Sequence, residues 1–213
     1  MRVISGTARR RTLRATVNTR PTADLIKGVI YSMLEALAYK RGFEPDLDGN
    51  LAAALAWPRV LDLFAGSGGL GIEALSRGAS SAEFVEQDRA AARIIQANLQ
   101  TTGLDERARV HLAPVGVALR SVRFPVDLVF ADPPYEDSTE LTASLTALGK
   151  PGLLLPTSVV VIEQSSRADA PPDSVGALPL ANVRTHGRTR VSLYAAMSPR
   201  QRNGARRAVR YRQ

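Results

Sequence analysis

Between residues 59 and 164 five short strand-like runs alternate with segments of different period. They are "RVLDLF" (59–64), "SAEFVEQ" (81–87), "RVHL" (109–112), "VDLVFA" (126–131) and "SVVVIEQ" (158–164). Between them lie "LGIEALSRG", "RAAARIIQANLQTTG" and a stretch near 137–149, all with helical spacing, and one short irregular segment after the third run. Nearly continuous apolar runs read as strands buried on both faces. Strand–helix repetition of this kind folds as a parallel sheet covered by helices on both sides. The pattern breaks at the end. "LANVRTHGRTRVSLYAAM" reads as two strands around His186-Gly187, hence an antiparallel hairpin. At the other end residues 2–5 and 11–15 read as two short strands around a turn at Gly6, a small N-terminal β-hairpin. "RPTADLIKGVIYSMLEAL" follows as a helix with Thr22 as N-cap, and residues 42–57 as a connection or insertion. The expected fold is α/β and Rossmann-like: a seven-stranded, mostly parallel sheet with a C-terminal antiparallel hairpin.

Composition narrows the chemistry. There is no cysteine, which excludes disulfides, zinc-thiolate sites and a cysteine nucleophile. The cysteine-dependent route to C5 methylation of a pyrimidine goes with it. His111 and His186 are the only histidines and have no second ligand near them in sequence, so no metal site is expected. No apolar run reaches membrane-spanning length, and the basic start has no apolar region behind it. The expectation is a cytoplasmic monomer with no membrane partner.

The net charge of +8 is unevenly distributed. Residues 1–20 and 198–213 each hold six arginines and no acid, while residues 21–197 hold 16 basic against 20 acidic residues. Two basic ends on a slightly acidic body point to a polyanion, with nucleic acid the expected partner. Arginine makes up 25 of the 28 cations, and its planar fork suits phosphate contacts and base stacking. The chain thus divides into a basic N-terminal extension (1–20), a catalytic body (21–197) and a basic tail (198–213), read as disordered. Arg9, Arg10, Arg11 and Arg14 are the candidate nucleic-acid contacts.

Ligands of such sheets bind beyond the carboxyl ends of the strands. The first strand runs into Asp62-Leu63-Phe64-Ala65-Gly66-Ser67-Gly68-Gly69-Leu70-Gly71. Glycines let backbone approach a ligand, and the following helix offers free N–H groups. Glu86 ends the next strand, placed for a ribose diol. The spacing also satisfies the dinucleotide fingerprint of a nicotinamide enzyme. Asp62 separates the two readings, because a carboxylate suits a cationic amino group and repels a pyrophosphate.

"DLVFADPPY" (127–135) sets Asp132, Pro133, Pro134 and Tyr135 at the end of the fourth strand. An exocyclic base amine is a poor nucleophile because its lone pair is conjugated into the ring. A carboxylate and a backbone carbonyl can each accept one of its N–H groups and free that lone pair. Proline fixes the carbonyl in advance, and the aromatic can stack on an extruded base.

On these residues the chain resembles class I S-adenosylmethionine-dependent methyltransferases of the amino-methylating kind. More narrowly it resembles the bacterial 16S ribosomal RNA (guanine-N2)-methyltransferases of the RsmD type. The likeness spans about residues 1–196 and rests on "MRVISG…RRRTL", "RPTADLIKGVIYSML", "VLDLFAGSGGLGIEALSRGA", "FVEQD", "FADPPY" and "HGRTRVSLY". It implies S-adenosylmethionine as cofactor, contacted by Asp62, Phe64, Gly66, Ser67, Gly68, Glu86 and Gln87, with Arg20 and Thr22 near its methionine end. It implies that Asp132–Tyr135 hold the target amine and that the partner is 16S rRNA or the small ribosomal subunit. Three alternatives stand beside it: a DNA or RNA adenine-N6 methyltransferase, an NAD-dependent oxidoreductase, and a catalytically silent RNA-binding protein.

Overall fold

Each strand of the parallel region feeds one face of the sheet and then the other, so neighbouring residues belong to different cores. In the computed structural model, which describes residues 1–16, 23–43, 57–123, 125–133 and 138–196, this alternation is visible residue by residue. Val60, Phe84, Leu128, Phe130, Val159 and Val161 face one cluster. Leu61, Leu63, Val85, Val129, Val160 and Ile162 face the other.

The elements are α1 (Ala23–Lys40), β1 (Arg59–Leu63), α2 (Gly69–Ser76), β2 (Ser81–Glu86), α3 (Arg89–Thr102) and β3 (Ala108–Leu112). Then come α4 (Val115–Ala118), β4 (Val126–Ala131), α5 (Ser138–Leu148) and β5 (Leu154–Ser165). The chain closes with β6 (Ser174–Val175), β7 (Leu178–His186) and β8 (Thr189–Ala195). The sheet order is β3-β2-β1-β4-β5-β8-β7-β6. β1 to β5 are parallel, and β8, β7 and β6 add on antiparallel. The first cluster takes side chains from α1, α2 and α3, the second from α4 and α5, so helices cover both faces. Local signals explain the long helix α3. Asp88 Oδ1 accepts the Ala91 N–H at 2.7 Å as N-cap, and Gly103 ends the helix at φ 70. Among the described residues no helix is long and apolar enough to cross a membrane.

The fold class expected from sequence holds, with three local corrections. The sheet has eight strands, because the two-residue β6 pairs with β7 at Ser174↔Pro179 and Val175↔Leu178. The segment after β3 contains the one-turn helix α4, started by Pro114. The N-terminal hairpin is reduced to one bridge, Arg2↔Thr12. The Val3 and Leu13 N–H groups also donate across it, to the Arg11 and Met1 carbonyls at 3.0 and 2.9 Å, and other backbone groups turn to α2. Glu73 of α2 accepts the Ile4 and Ser5 N–H groups at 2.8 and 2.9 Å, and Ser76 Oγ accepts from Ala8 at 3.0 Å. Gly6, at φ 82, lies so close to α2 that a Cβ there would sit 1.9 Å from the Ser76 carbonyl oxygen. Val3, Ala8 and Leu13 are buried in the first core, so residues 1–14 form part of the packed body. Arg20, Thr22, most of 42–57 and the tail from 197 lie outside the described residues.

Candidate active site

Parallel strands end together, so their carboxyl edge gathers whatever follows β1, β2 and β4. In register Leu63 pairs with Val85 on one side and Ala131 on the other. The residues just beyond are therefore the glycine turn, Glu86 and Asp132.

The turn is held by backbone torsions that few residues adopt. Phe64 has φ 57, in the left-handed region that a bulky side chain rarely occupies. Such an outlier is stored strain and is common where a ligand is gripped. Gly66 also has φ 57, and a Cβ there would meet only the Phe64 carbonyl oxygen, at 4.0 Å. The backbone at Gly66 therefore faces open space. Gly68 and Gly71 serve packing. A Cβ on Gly68 would come within 3.2 Å of Ile72 and Ile95, and one on Gly71 within 2.4 Å of the Phe84 ring. Ser67 is buried and its carbonyl accepts from Asn98 Nδ2 at 2.9 Å.

Three carboxylates converge on this turn. Glu86 Oε2 accepts the Gly66 N–H at 2.7 Å and Oε1 the Asp88 N–H at 2.8 Å, so its side chain joins the glycine turn to the start of α3. Each oxygen keeps a second lone pair for a ligand hydroxyl. Asp62 is 2% exposed and its Oδ2 accepts the Gly71 N–H at 2.8 Å, satisfying an orphan donor in the first turn of α2. Burial pushes the Asp62 carboxyl up to about 8, against the pull of the Gly71 N–H, and the negative charges of Asp132 and Glu86 raise it further. Asp132 is half-buried and Pro133 is buried behind it. Gln87 is exposed beside Glu86.

A buried carboxyl among like charges favours a cationic ligand over an anionic one. S-adenosylmethionine, with its sulfonium and ammonium groups and a ribose diol, fits the open Gly66 backbone, Glu86 and this charge. A pyrophosphate fits poorly beside the same three carboxylates.

The chain is similar to known proteins along most of its length. A family model described as Conserved hypothetical protein 95 matches residues 1–195. YlbH of Bacillus subtilis is 36% identical over 199 residues, covering 91% of this chain and 98% of that protein. The chain belongs to the RsmD family of S-adenosylmethionine-dependent methyltransferases. Its relative in Escherichia coli (strain K12), Ribosomal RNA small subunit methyltransferase D, is 30% identical over 165 residues, 76% of this chain and 74% of that protein. The solved structure of yhhF from Escherichia coli superposes with a TM-score of 0.73 at 29% identity, covering 91% of this chain and 96% of that one.

Within this RsmD-family chain, the structure brings together Asp62, Phe64, Gly66, Ser67, Gly68, Glu86, Gln87, Asp132 and Pro133 at one edge. Pro134, Tyr135, Arg20 and Thr22 lie outside the described residues. Arg9, Arg10 and Arg11 are exposed, on turns beside the C-terminal end of α2, with Arg10 at φ 69. Along α2 that is roughly 10 Å from the glycine turn. Arg14 is nearer. Its backbone N–H and carbonyl both bond the side chain of Asn98, at 2.7 and 2.9 Å.

Sequence reading missed Asn98 and Glu73. Asn98 is fully buried and ties the N-terminal segment to the glycine turn through Arg14 and Ser67. The available signal was an amide on the apolar stripe of α3, among Ala91, Ile95 and Leu99. Glu73 carried the same kind of signal, as the one charge in "GLGIEALS".

Proposed function

We propose that this protein transfers a methyl group to the exocyclic N2 amine of a guanine in 16S ribosomal RNA, acting in the cytoplasm. The observation that carries the reading is the placement of Asp132 and Pro133 at the end of the fully buried strand β4, one strand from the glycine turn. The name of the Escherichia coli relative, a small-subunit ribosomal RNA methyltransferase, supports the substrate class.

When bound, S-adenosylmethionine supplies an electrophilic methyl group. Gly66 and Glu86 would hold its nucleoside, and Asp62 would face its cationic end. Asp132 accepts one N–H of the target amine and the Pro133 carbonyl the other, which turns the nitrogen lone pair out of conjugation. As positive charge grows on that nitrogen, its bond to the Asp132 carboxylate strengthens, so the contact favours the transition state over the ground state. Burial of Pro133 fixes the carbonyl beforehand, and Tyr135 is proposed to stack on the extruded base.

The test is methyl transfer from tritiated cofactor to small-subunit RNA, naked and assembled, with the labelled base identified by nucleoside analysis. Label in N2-methylguanine supports the reading. Label in N6-methyladenine would move the protein to the adenine-methylating alternative.

A further inference from the structure

The carboxylates of Glu86 and Asp132 at the carboxyl edge repel RNA phosphates, so a nucleic-acid substrate needs cations on the flanks of the site. Arg14, exposed and tied through Asn98 to the glycine turn, supplies a cation on one flank. The opposite flank is the β7–β8 hairpin. Ala131 of β4 is level with Ile162 of β5, and β5 continues to Ser165. Ser165 pairs with Thr189, and Thr189 with His186. The hairpin tip therefore rises at the same edge as Asp132, about three residues or roughly 10 Å beyond it. β7 lies three strands from β4, or roughly 15 Å to the side.

This tip is exposed and basic. Residues 181–188 are exposed throughout, and no acid occurs from Leu178 to Arg190. Arg184 pairs across from Val191 and His186 from Thr189, so both lie on the face that α1, α2 and the N-terminal segment cover. Among the described residues no side chain pairs with Arg184, His186 or Arg188. Nearby acids are few: Glu163 is buried, and Asp169 and Asp173 are exposed on the preceding loop. Arg190 braces that loop by donating to the carbonyls of Ala168 and Asp169. Gly187, at φ 57 in the first of two loop positions, makes the tight turn that presents Arg188. β6 pairs with β7 only at Leu178 and Pro179, so the rest of that edge has no neighbouring strand among the described residues. Free arginines on a braced, acid-free hairpin beside an anionic site fit a phosphate backbone.

The geometry points to the β7–β8 tip, through Arg184 and Arg188, as a second RNA-contacting wall that binds phosphates flanking the target guanine. This rests on the proposed RNA methyl transfer and adds a contact surface to it. The test uses the full-length protein with Arg184→Ala/Arg188→Ala and Arg184→Lys/Arg188→Lys double variants. Affinity for a small-subunit RNA fragment is measured across a salt series, with methyl-transfer kinetics and cofactor titration in parallel. Losing two phosphate contacts should flatten the log–log salt slope by about 1.4 for single-stranded RNA. The KM for RNA should rise about tenfold or more, while kcat stays within about twofold and cofactor affinity is unchanged. The lysine pair should recover most of the slope, because it keeps the charges. An unchanged slope and KM in the alanine pair overturn the inference, as does a loss confined to duplex DNA. Wild-type protein that binds cofactor but leaves small-subunit RNA unmethylated would instead sink the functional reading, and the salt slope would still decide the hairpin.

Discussion

Replacing Glu73 by alanine should loosen the N-terminal segment and destabilise the whole protein. Glu73 is fully buried in α2. Its oxygens accept the Ile4 and Ser5 N–H groups at 2.8 and 2.9 Å and Arg77 Nε at 2.8 Å, and Lys27 Nζ lies 3.5 Å away. The Lys27 side chain is only 3% exposed, so without Glu73 its ammonium keeps Asp24 and the Arg2 carbonyl but loses its buried partner. Arg77 keeps Glu35 at 2.6 Å and the Tyr31 ring at 4.2 Å, so it contributes less to the loss. Breaking a buried ion pair costs about 3–5 kcal/mol, a large share of a domain stability of about 5–15 kcal/mol. At about 2–4 °C per kcal/mol for a chain of this size, the melting temperature should fall by roughly 6–20 °C. Urea unfolding and calorimetry measure both quantities. Adding Lys27→Met should restore at least about 1 kcal/mol, because it removes the orphaned charge. A Glu73→Ala loss below about 1 kcal/mol would refute the reasoning and leave the attachment to Val3, Ala8 and Leu13 and to the bonds at Ser76 and Asn98.

Asp132→Ala should lower kcat by two orders of magnitude or more with little effect on cofactor binding, while Asp132→Asn keeps partial turnover through its amide oxygen. Single-turnover kinetics with cofactor titration separate the two effects. Glu86→Ala should weaken cofactor binding at least about tenfold by calorimetry, since hydrogen bonds to charged groups contribute about 1.5–3 kcal/mol and Glu86 also anchors Gly66. Because the Asp62 carboxyl sits near 8 in the fold against 3.8 unfolded, the ligand-free native state holds a proton that the unfolded chain has lost between those values. Stability should then fall as pH rises from about 4 towards 8, more steeply in wild type than in Asp62→Asn, and melting curves against pH check the slope. Gly71→Ala should be poorly tolerated, because its Cβ would press on the Phe84 ring at 2.4 Å; normal expression and melting would contradict that packing.

The parallel sheet was legible because β1, β2, β4 and β5 are buried on both faces and so carry apolar residues without alternation, while the edge strand β3 has no buried residue. β4 is the clearest, with all six residues of "VDLVFA" buried. The start of β5 was hidden by Pro156, which reads as a boundary. In the fold Val126 pairs with Leu154 and Leu128 with Val159, so the chain bulges around that proline and pairs on both sides of it. α4 has four residues and β6 two, too few for any period to show. The N-terminal hairpin forms but stays short, for a different reason. Its sequence predicts pairing between residues 2–5 and 11–15, but α2 offers stronger acceptors, and a buried carboxylate outcompetes a second strand for the Ile4 and Ser5 N–H groups.

At the site, residue types were legible and their double duties were not. Asp62 and Glu86 read as ligand contacts because of their spacing from the glycines. In the fold both also hold backbone: Asp62 satisfies Gly71 at the start of α2, and Glu86 links Gly66 to Asp88. A carboxylate that both shapes the turn and meets the ligand cannot be removed for one purpose alone. Asp62→Ala would expose an orphan N–H in α2 as well as removing the ionisable group, whereas Asp62→Asn keeps the acceptor and removes only the capacity to ionise when the cation binds. The two substitutions therefore separate shape from electrostatics. If cofactor affinity falls in Asp62→Ala and survives in Asp62→Asn, the carboxylate matters for the turn; if it falls equally in both, its charge is what the cationic cofactor reads.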